Sequence, residues 1–347
     1  MELTTIWFTL IAVLWIGYFV LEGFDFGVGM LLPVLGKSEA EKRVMINTIG
    51  PVWDGNEVWL LVAGGATFAA FPMWYATLFS GFYLPLFLIL VALIIRGVAF
   101  EYRSKLDGVA WRQRWDRALT ISSYVPSILW GVAFANIVKG VPIDADMQYT
   151  GGFFNLLNPY ALLGGITTLM LFMTHGAIFI ALKTTGELRA RARSLAGKLA
   201  LIEVAGGGIF LLWTQLDHGK SITWITTLLT AGLLIAALFA NTQGREGWSF
   251  GYHAAGILMA VATLFLGLFP NVMPSSTDPA FSLTVTNASS TAYTLTIMTW
   301  VAVVFTPIVL AYQTWTYWVF RKRLGVGQIP ALLTPNKDGS WRKTPVR

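Results

Sequence analysis

Apolar residues in this chain run in long blocks separated by short polar segments. The blocks fall at roughly 4–32, 51–71, 74–100, 118–139, 158–182, 196–215, 221–240, 250–272 and 293–320. A run of ~20 mostly apolar residues is long enough to cross the hydrocarbon layer. In lipid the backbone groups of such a run must be paired within the segment, so each block predicts a helix. The pattern therefore predicts an all-α polytopic membrane protein of about nine transmembrane helices. The second is the weakest signal, because it opens on Pro51-Val52-Trp53-Asp54-Gly55-Asn56-Glu57. The first block is too long for a signal-peptide core. Nothing basic precedes it and no clean cleavage pattern ends it, so it reads as a retained helix.

The polar segments give an orientation. Segments 33–50, 101–117, 183–198 and 241–249, with the tail from Arg321, hold 21 of the 24 Lys and Arg residues. Lys139 and Lys220 fall on the opposite side, and Arg96 lies inside a block. The positive-inside rule then places the N-terminus outside and the C-terminus in the cytoplasm, which an odd number of spans satisfies. Leu21-Glu22-Gly23 and Thr174-His175-Gly176 stand at similar depths in the first and fifth helices. This suggests two four-helix repeats of the same orientation, at 1–140 and 141–272. An outer loop and ninth helix follow at 273–320, and a basic cytoplasmic tail at 321–347.

Composition agrees with a lipid solvent: 55% of residues are apolar and 12% charged, against about 25% charged in soluble domains. The excess of basic residues is spread over separate loops, which argues against nucleic-acid binding. With no Cys, disulfides, thiolate metal sites and c-type haem attachment are excluded. Asn287-Ala288-Ser289 is too common a pattern to carry a glycosylation reading, and the Gly-rich segments inside spans imply no nucleotide loop.

Ionisable residues within spans are costly and hence functional candidates. Glu22 and Asp25 in the first helix, Asp54 and Glu57 at the start of the second, and Arg96 near the cytoplasmic end of the third fall at one depth. Each acid pair is spaced i, i+3 and so shares a helix face. Gly23, Gly27 and Gly29 let a neighbouring helix approach, which turns Asp25 toward protein. One Arg cannot neutralise all these acids, so at least one carboxyl should exchange protons, as in a proton inlet from the cytoplasm. The bland alternative is an ion-pair cluster that fixes helix packing, and Arg96 reads best as a structural partner. His175 reads as the only histidine deep in a span and as a satisfied interior residue, with Glu203 its candidate partner. His218 reads as an outer-loop residue and His253 as lying at a helix start. A single deep histidine cannot ligate several b-type haems.

Glu22-Gly23-Phe24-Asp25-Phe26-Gly27-Val28-Gly29-Met30 and the run Asn47 to Trp59 resemble the first- and second-helix motifs of subunit II of cytochrome bd-type quinol oxidases. Gly81-Phe82-Tyr83, Arg96 to Arg103, Gly131-Val132-Ala133-Phe134, Leu157-Asn158-Pro159 and Thr185-Gly186-Glu187-Leu188 are similar too. So are Met273-Pro274-Ser275-Ser276, Asn287 to Ser290 and Ile297 to Val301, and the resemblance spans essentially the whole chain. It implies a haem-free subunit of a bacterial cytoplasmic-membrane complex that oxidises quinol and reduces oxygen to water. The complex would take chemical protons from the cytoplasm and so generate proton-motive force without pumping. Haem b and haem d are implied in the partner, a structurally related subunit I, which would form a heterodimer with this chain. A small accessory subunit, membrane lipids or quinone are further partners that the resemblance suggests. Asp54 matches the family's acid in a proton channel at the subunit interface, Asp25 a second acid, and Trp53 its neighbouring aromatic. The inlet expected is thus Asp54, Asp25, Glu22 and Glu57, with Trp53 and Arg96 supporting. The very short segment between the sixth and seventh helices departs from better-known members and puts a quinone or lipid site there in question. Two other readings compete: a proton-coupled secondary transporter, and a purely structural scaffold for another membrane subunit.

Overall fold

The computed structural model describes residues 2–329, with the backbone of 332–335 and 341–344. Most of the basic tail expected at 321–347, including Lys337 and Arg347, lies outside the described residues. The chain is helical throughout, in the order α1 (Leu3–Leu35), α2 (Glu39–Ile49), α3 (Trp53–Ala70), α4 (Pro72–Gly81), α5 (Tyr83–Tyr102) and α6 (Val109–Lys139). There follow α7 (Pro159–Lys183), α8 (Gly186–His218), α9 (Thr223–Thr242), α10 (Glu246–Leu268) and α11 (Ala292–Val319). Among the described residues the β-strands form two small antiparallel pairs, 271–273 with 283–284 and 332–335 with 341–344.

Eight described helices, α1 and α5 to α11, are long and apolar enough to cross a membrane. Helix α3 is not among them, because Asp54, Asn56 and Glu57 crowd its first turns and it is only 18 residues long. Two expectations from the hydropathy pattern need correction. The segment 33–50, expected as a basic loop, contains α2. Its Ser38 cap accepts a hydrogen bond from the Glu41 N–H, and Val44, Met45 and Ile49 are buried. At 11 residues, it is too short for a search built on spanning lengths. The third block, expected as one helix, is broken at Phe82 into α4 and α5. Pro85 falls in the first turn of α5, where its missing N–H leaves no bond unmade within that helix, and the break lies just before it. Helices α6 and α8 also start nine and ten residues before their apolar blocks, at Val109 and Gly186, in polar turns that extend beyond the spanning part.

Helix α1 is the hub. It packs on α3, α6, α7 and α10. The closest approach is to α7, where a Cβ at Gly27 would meet the Phe172 carbonyl and the Gly176 backbone, and a Cβ at Gly176 would meet Gly27. Small residues at a crossing let backbones pack directly. Pro33 continues α1 although it cannot bond the Gly29 carbonyl. Thr120 Oγ1 of α6 donates to that carbonyl instead, at 3.1 Å. Trp15, in the N-terminal half of α1, fills the hub there, with Trp130 and Phe134 edge-on at centroid distances of 4.9 and 4.8 Å. Helix α11 is the exception to this burial. It touches only α1 and α3 appreciably, and Trp300, Tyr312, Trp315 and Trp318 are exposed.

Candidate functional site

Helices α1, α3 and α5 bring the buried charges together. Arg96 on α5 and Glu22 and Asp25 on α1 are all fully buried. Arg96 Nη1 donates to Glu22 Oε1 and, at 3.4 Å, to Glu57 Oε2 of α3. The guanidinium lies over the Phe26 and Phe100 rings, 4.8 and 5.2 Å from their centroids. Trp53 stacks on Phe100 at 4.8 Å, behind the ring that faces the cation. Charges removed from water persist only when paired or hydrogen-bonded. Here the pairing is incomplete: Glu22 Oε2, Asp25 Oδ1, Arg96 Nε and Arg96 Nη2 are buried without a protein partner. Two carboxyls, Glu22 and Glu57, share one guanidinium, and Asp25 lies in the same cluster without a bond to it.

Asp25 does not bond Arg96. Its Oδ2 accepts from Asn56 Nδ2 at 2.7 Å, and Asn56 Oδ1 in turn accepts from Tyr317 OH of α11 at 2.7 Å. Gln313 of α11 joins the same group, 3.4 Å from Asn56 Oδ1, and takes a bond from Trp59 Nε1 at 2.9 Å. Asn56, Gln313 and Tyr317 are members of the site that the sequence reading missed. The signal available was slight: a neutral amide between two acids, and polar residues one helical turn apart (313 and 317) in an otherwise apolar helix.

Asp54 is placed differently. It shares the first turn of α3 with Trp53 and lies exposed, with no hydrogen bond or ion pair to the described residues. The expectation that Asp54 and Glu57 share one environment therefore fails: Glu57 turns toward Arg96, and Asp54 toward the outside. Asp54 stands on one stripe with Val58, Leu61 and Val62, which are also exposed. The described structure thus joins Glu22, Asp25, Glu57 and Arg96, and leaves Asp54 at the rim.

A second polar cluster occupies α7, α8 and α10. His253 is buried, not at a helix margin, because α10 starts at Glu246 and carries His253 two turns into the bundle. His175 is therefore not the only deep histidine, and Glu203 is not its direct partner. His253 lies between them, with Nδ1 3.0 Å from His175 Nδ1 and Nε2 3.0 and 3.1 Å from the two Glu203 oxygens. His175 Nε2 lies 3.1 Å from the Val20 carbonyl of α1.

Around α2, Arg103 pairs with Asp116 and Glu39, and Lys42 with Asp116. Arg191 binds Glu41 at 2.6 Å. Burial pushes the Glu41 carboxyl up, but the Arg191 hydrogen bond and the Lys37 N–H outweigh it and leave it below its ordinary value. Among the described residues no group of three or more His, Asp or Glu side chains is arranged to hold a metal ion.

The family model for cytochrome bd terminal oxidase subunit II matches residues 3–320. Cytochrome bd ubiquinol oxidase subunit 2 of Bacillus subtilis (strain 168) is 44% identical over 329 residues, covering 93% of this chain and 97% of that one. Cytochrome bd-I ubiquinol oxidase subunit 2 of Escherichia coli (strain K12) is 40% identical over 351 residues, covering 90% and 93%. The fold matches a chain of the bd oxidase from Geobacillus thermodenitrificans with a TM-score of 0.74 at 14% identity, over 92% of this chain and 99% of that one.

Proposed function

Since the chain belongs to the cytochrome bd terminal oxidase subunit II family, we propose that it is the haem-free subunit II of a quinol-oxidising, oxygen-reducing complex and helps to build the cytoplasmic proton inlet. Its relatives are subunits of cytochrome bd ubiquinol oxidases, and family membership displaces the transporter reading. The complex resides in the bacterial cytoplasmic membrane, with subunit I as partner and as the holder of haem b and haem d. The histidines support a haem-free chain: both ring nitrogens of His175 and of His253 are engaged with protein groups.

Nine spans, with α3 as the ninth, put the N-terminus outside and the C-terminus in the cytoplasm, in line with the basic segments. Two repeats, α1 with α3 to α6 and then α7 to α10, meet where Gly27 of α1 faces Gly176 of α7. That pairing of the first helix of each repeat is what a same-orientation duplication leads to. The exposed faces of α11 and α3, with Trp300 and Leu61 at 68% and 69% exposure, suit a subunit I surface. An accessory subunit, lipid or quinone is a further candidate for the rest of the apolar surface.

The observation that carries the inlet is the incompletely paired cluster of Glu22, Asp25 and Glu57 around Arg96. Carboxyls in excess of their counter-charge can take up and release protons with little rearrangement. Reduction of oxygen consumes protons, and quinol oxidation supplies the electrons. Asp54, on the stripe offered to the partner, receives the proton at the rim, and Asp25 and Glu22 stand behind it. Arg96 and Trp53 hold these acids in place. Replacing an exposed carboxylate that has no hydrogen bond or ion pair to the described residues makes Asp54→Asn a clean test. The variant should assemble with full haem content and lose most oxygen consumption. Turnover equal to wild type across pH would remove Asp54 from the inlet. Should Asp54→Asn fail to assemble, Asp54→Glu is to restore both assembly and turnover.

A further inference from the structure

The His175–His253–Glu203 cluster takes no part in the inlet, yet its hydrogen bonds carry a proton count. The Val20 carbonyl can only accept, so His175 donates to it from Nε2 across 3.1 Å. The two Nδ1 atoms, 3.0 Å apart, need one hydrogen between them. His253 Nε2 and the Glu203 carboxyl, 3.0–3.1 Å apart, need another. Three bonds require three hydrogens. Two neutral imidazoles bring one each, and a carboxylate brings none. Without a further hydrogen, two lone pairs would oppose each other at van der Waals distance or closer, in a site where all three side chains are 2% exposed or less. An unsatisfied buried polar group costs about 1–3 kcal/mol, more when charged.

We infer that His175, His253 and Glu203 form a proton-binding site in the second half of the bundle. It holds one proton beyond those of two neutral imidazoles and a carboxylate. The count does not depend on which of the three groups carries the proton, and it leaves the site with no net charge. Helix α9 contains no ionisable side chain, and between Leu119 and Val138 α6 has only the Tyr124 phenol. Neither Tyr124 nor Tyr252, which precedes His253 on α10, is hydrogen-bonded to the cluster. Helix α1 presents the Val20 carbonyl and the Phe24 ring, while its Glu22 and Asp25 are bonded to Arg96 and Asn56. Helix α10 adds the Phe250 ring, stacked 4.7 Å from His175. The chain of bonds ends on a backbone carbonyl, which cannot pass a proton on. The site therefore retains its proton and ties α7, α8 and α10 to α1.

Infrared difference spectroscopy on the purified complex tests this, with Glu203→Gln subtracted from wild type. A Gln amide can donate to His253 Nε2 and satisfies the same bonds with no extra proton, so this variant should assemble. Wild type should show, and Glu203→Gln lack, either a protonated-carboxyl band that shifts in D2O or carboxylate bands together with imidazolium bands. Either result places the extra proton in the cluster. Carboxylate bands with neutral imidazole alone would overturn the inference. His175→Leu is the second arm, and it carries the comparison if Glu203→Gln does not assemble. Freed from His175, a neutral His253 can donate to the carboxylate from Nε2, so the protonated signature should disappear. Its persistence in His175→Leu would overturn the argument from bond direction.

Discussion

Arg96→Met isolates what the central ion pair contributes to the fold. The substitution removes the charge and keeps a long apolar side chain, but it leaves Glu22, which is fully buried and bonded to Arg96, without its counter-charge. Breaking a buried pair by deleting one partner costs about 3–5 kcal/mol. Loss of the cation from the Phe26 and Phe100 rings acts in the same direction, by ~0.5–2 kcal/mol. The Glu57 contact adds less, because it is 3.4 Å long and the Glu57 side chain is 21% exposed. At 1.4 kcal/mol per tenfold, the folded-to-unfolded ratio should fall by on the order of 10²- to 10³-fold or more. The assay is the fraction of assembled complex that survives heating in mild detergent, read by size-exclusion chromatography. The double variant Arg96→Met with Glu22→Leu should recover most of the loss, since an apolar replacement for a whole buried pair is often neutral or stabilising. If Arg96→Met alone is as heat-resistant as wild type, or the double variant is no better than the single, the pair does not hold these helices together.

Other expectations concern packing, pH and topology. Gly176→Val should prevent assembly, because the added atoms meet the Gly27 backbone, which cannot step aside. Gly206→Ala, where nothing lies within 4 Å of the new Cβ, should express at wild-type level; equal yields for both would show the α1–α7 crossing to be looser than described. The Glu41 carboxyl lies below its ordinary value of 4.5, so its pairing with Arg191 stabilises the fold above that value and is lost as pH falls through the lower, folded one. Glu41→Gln should therefore lower thermal stability at neutral pH and narrow the gap to wild type in acid, and a gap that widens in acid would contradict this sign. A reporter fused after Arg347 should be active only in its cytoplasmic form, and activity only outside would refute nine spans.

The parts of the site legible in the sequence were those whose charge stands out against lipid-like surroundings. Glu22, Asp25 and Arg96 are ionisable groups inside apolar blocks, and the structure gathers them as the pattern implies. Asn56 stayed hidden because a neutral amide beside two acids looks like ordinary helix-start chemistry, and its partner Tyr317 is 261 residues away. Asp54 stands at the start of α3 as its sequence position implies, but an i, i+3 spacing still sets two side chains about 60° apart around a helix, so Glu57 reaches Arg96 while Asp54 stays exposed. His253 was overlooked because the apolar block begins later than α10 itself, so four residues of polar helix were counted as loop. The short amphipathic α2 spans 11 residues and the break at Phe82 a single one, below the resolution of a 20-residue hydropathy pattern.

The position of α11 has a consequence for the timing of assembly. The ribosome delivers α1, α3 and α5 long before α11, so Glu22, Asp25, Glu57 and Arg96 can meet while the last helix is still being made. Asn56 Oδ1, however, finds its Tyr317 and Gln313 donors only when α11 docks. Until then the amide that holds Asp25 is itself held from one side only. A chain truncated before Thr291 would expose this half-finished cluster, and membrane proteases that recognise unsatisfied polar surface would find it there. Docking of the last helix thus supplies the final donors to Asn56 and completes the polar group around Asp25.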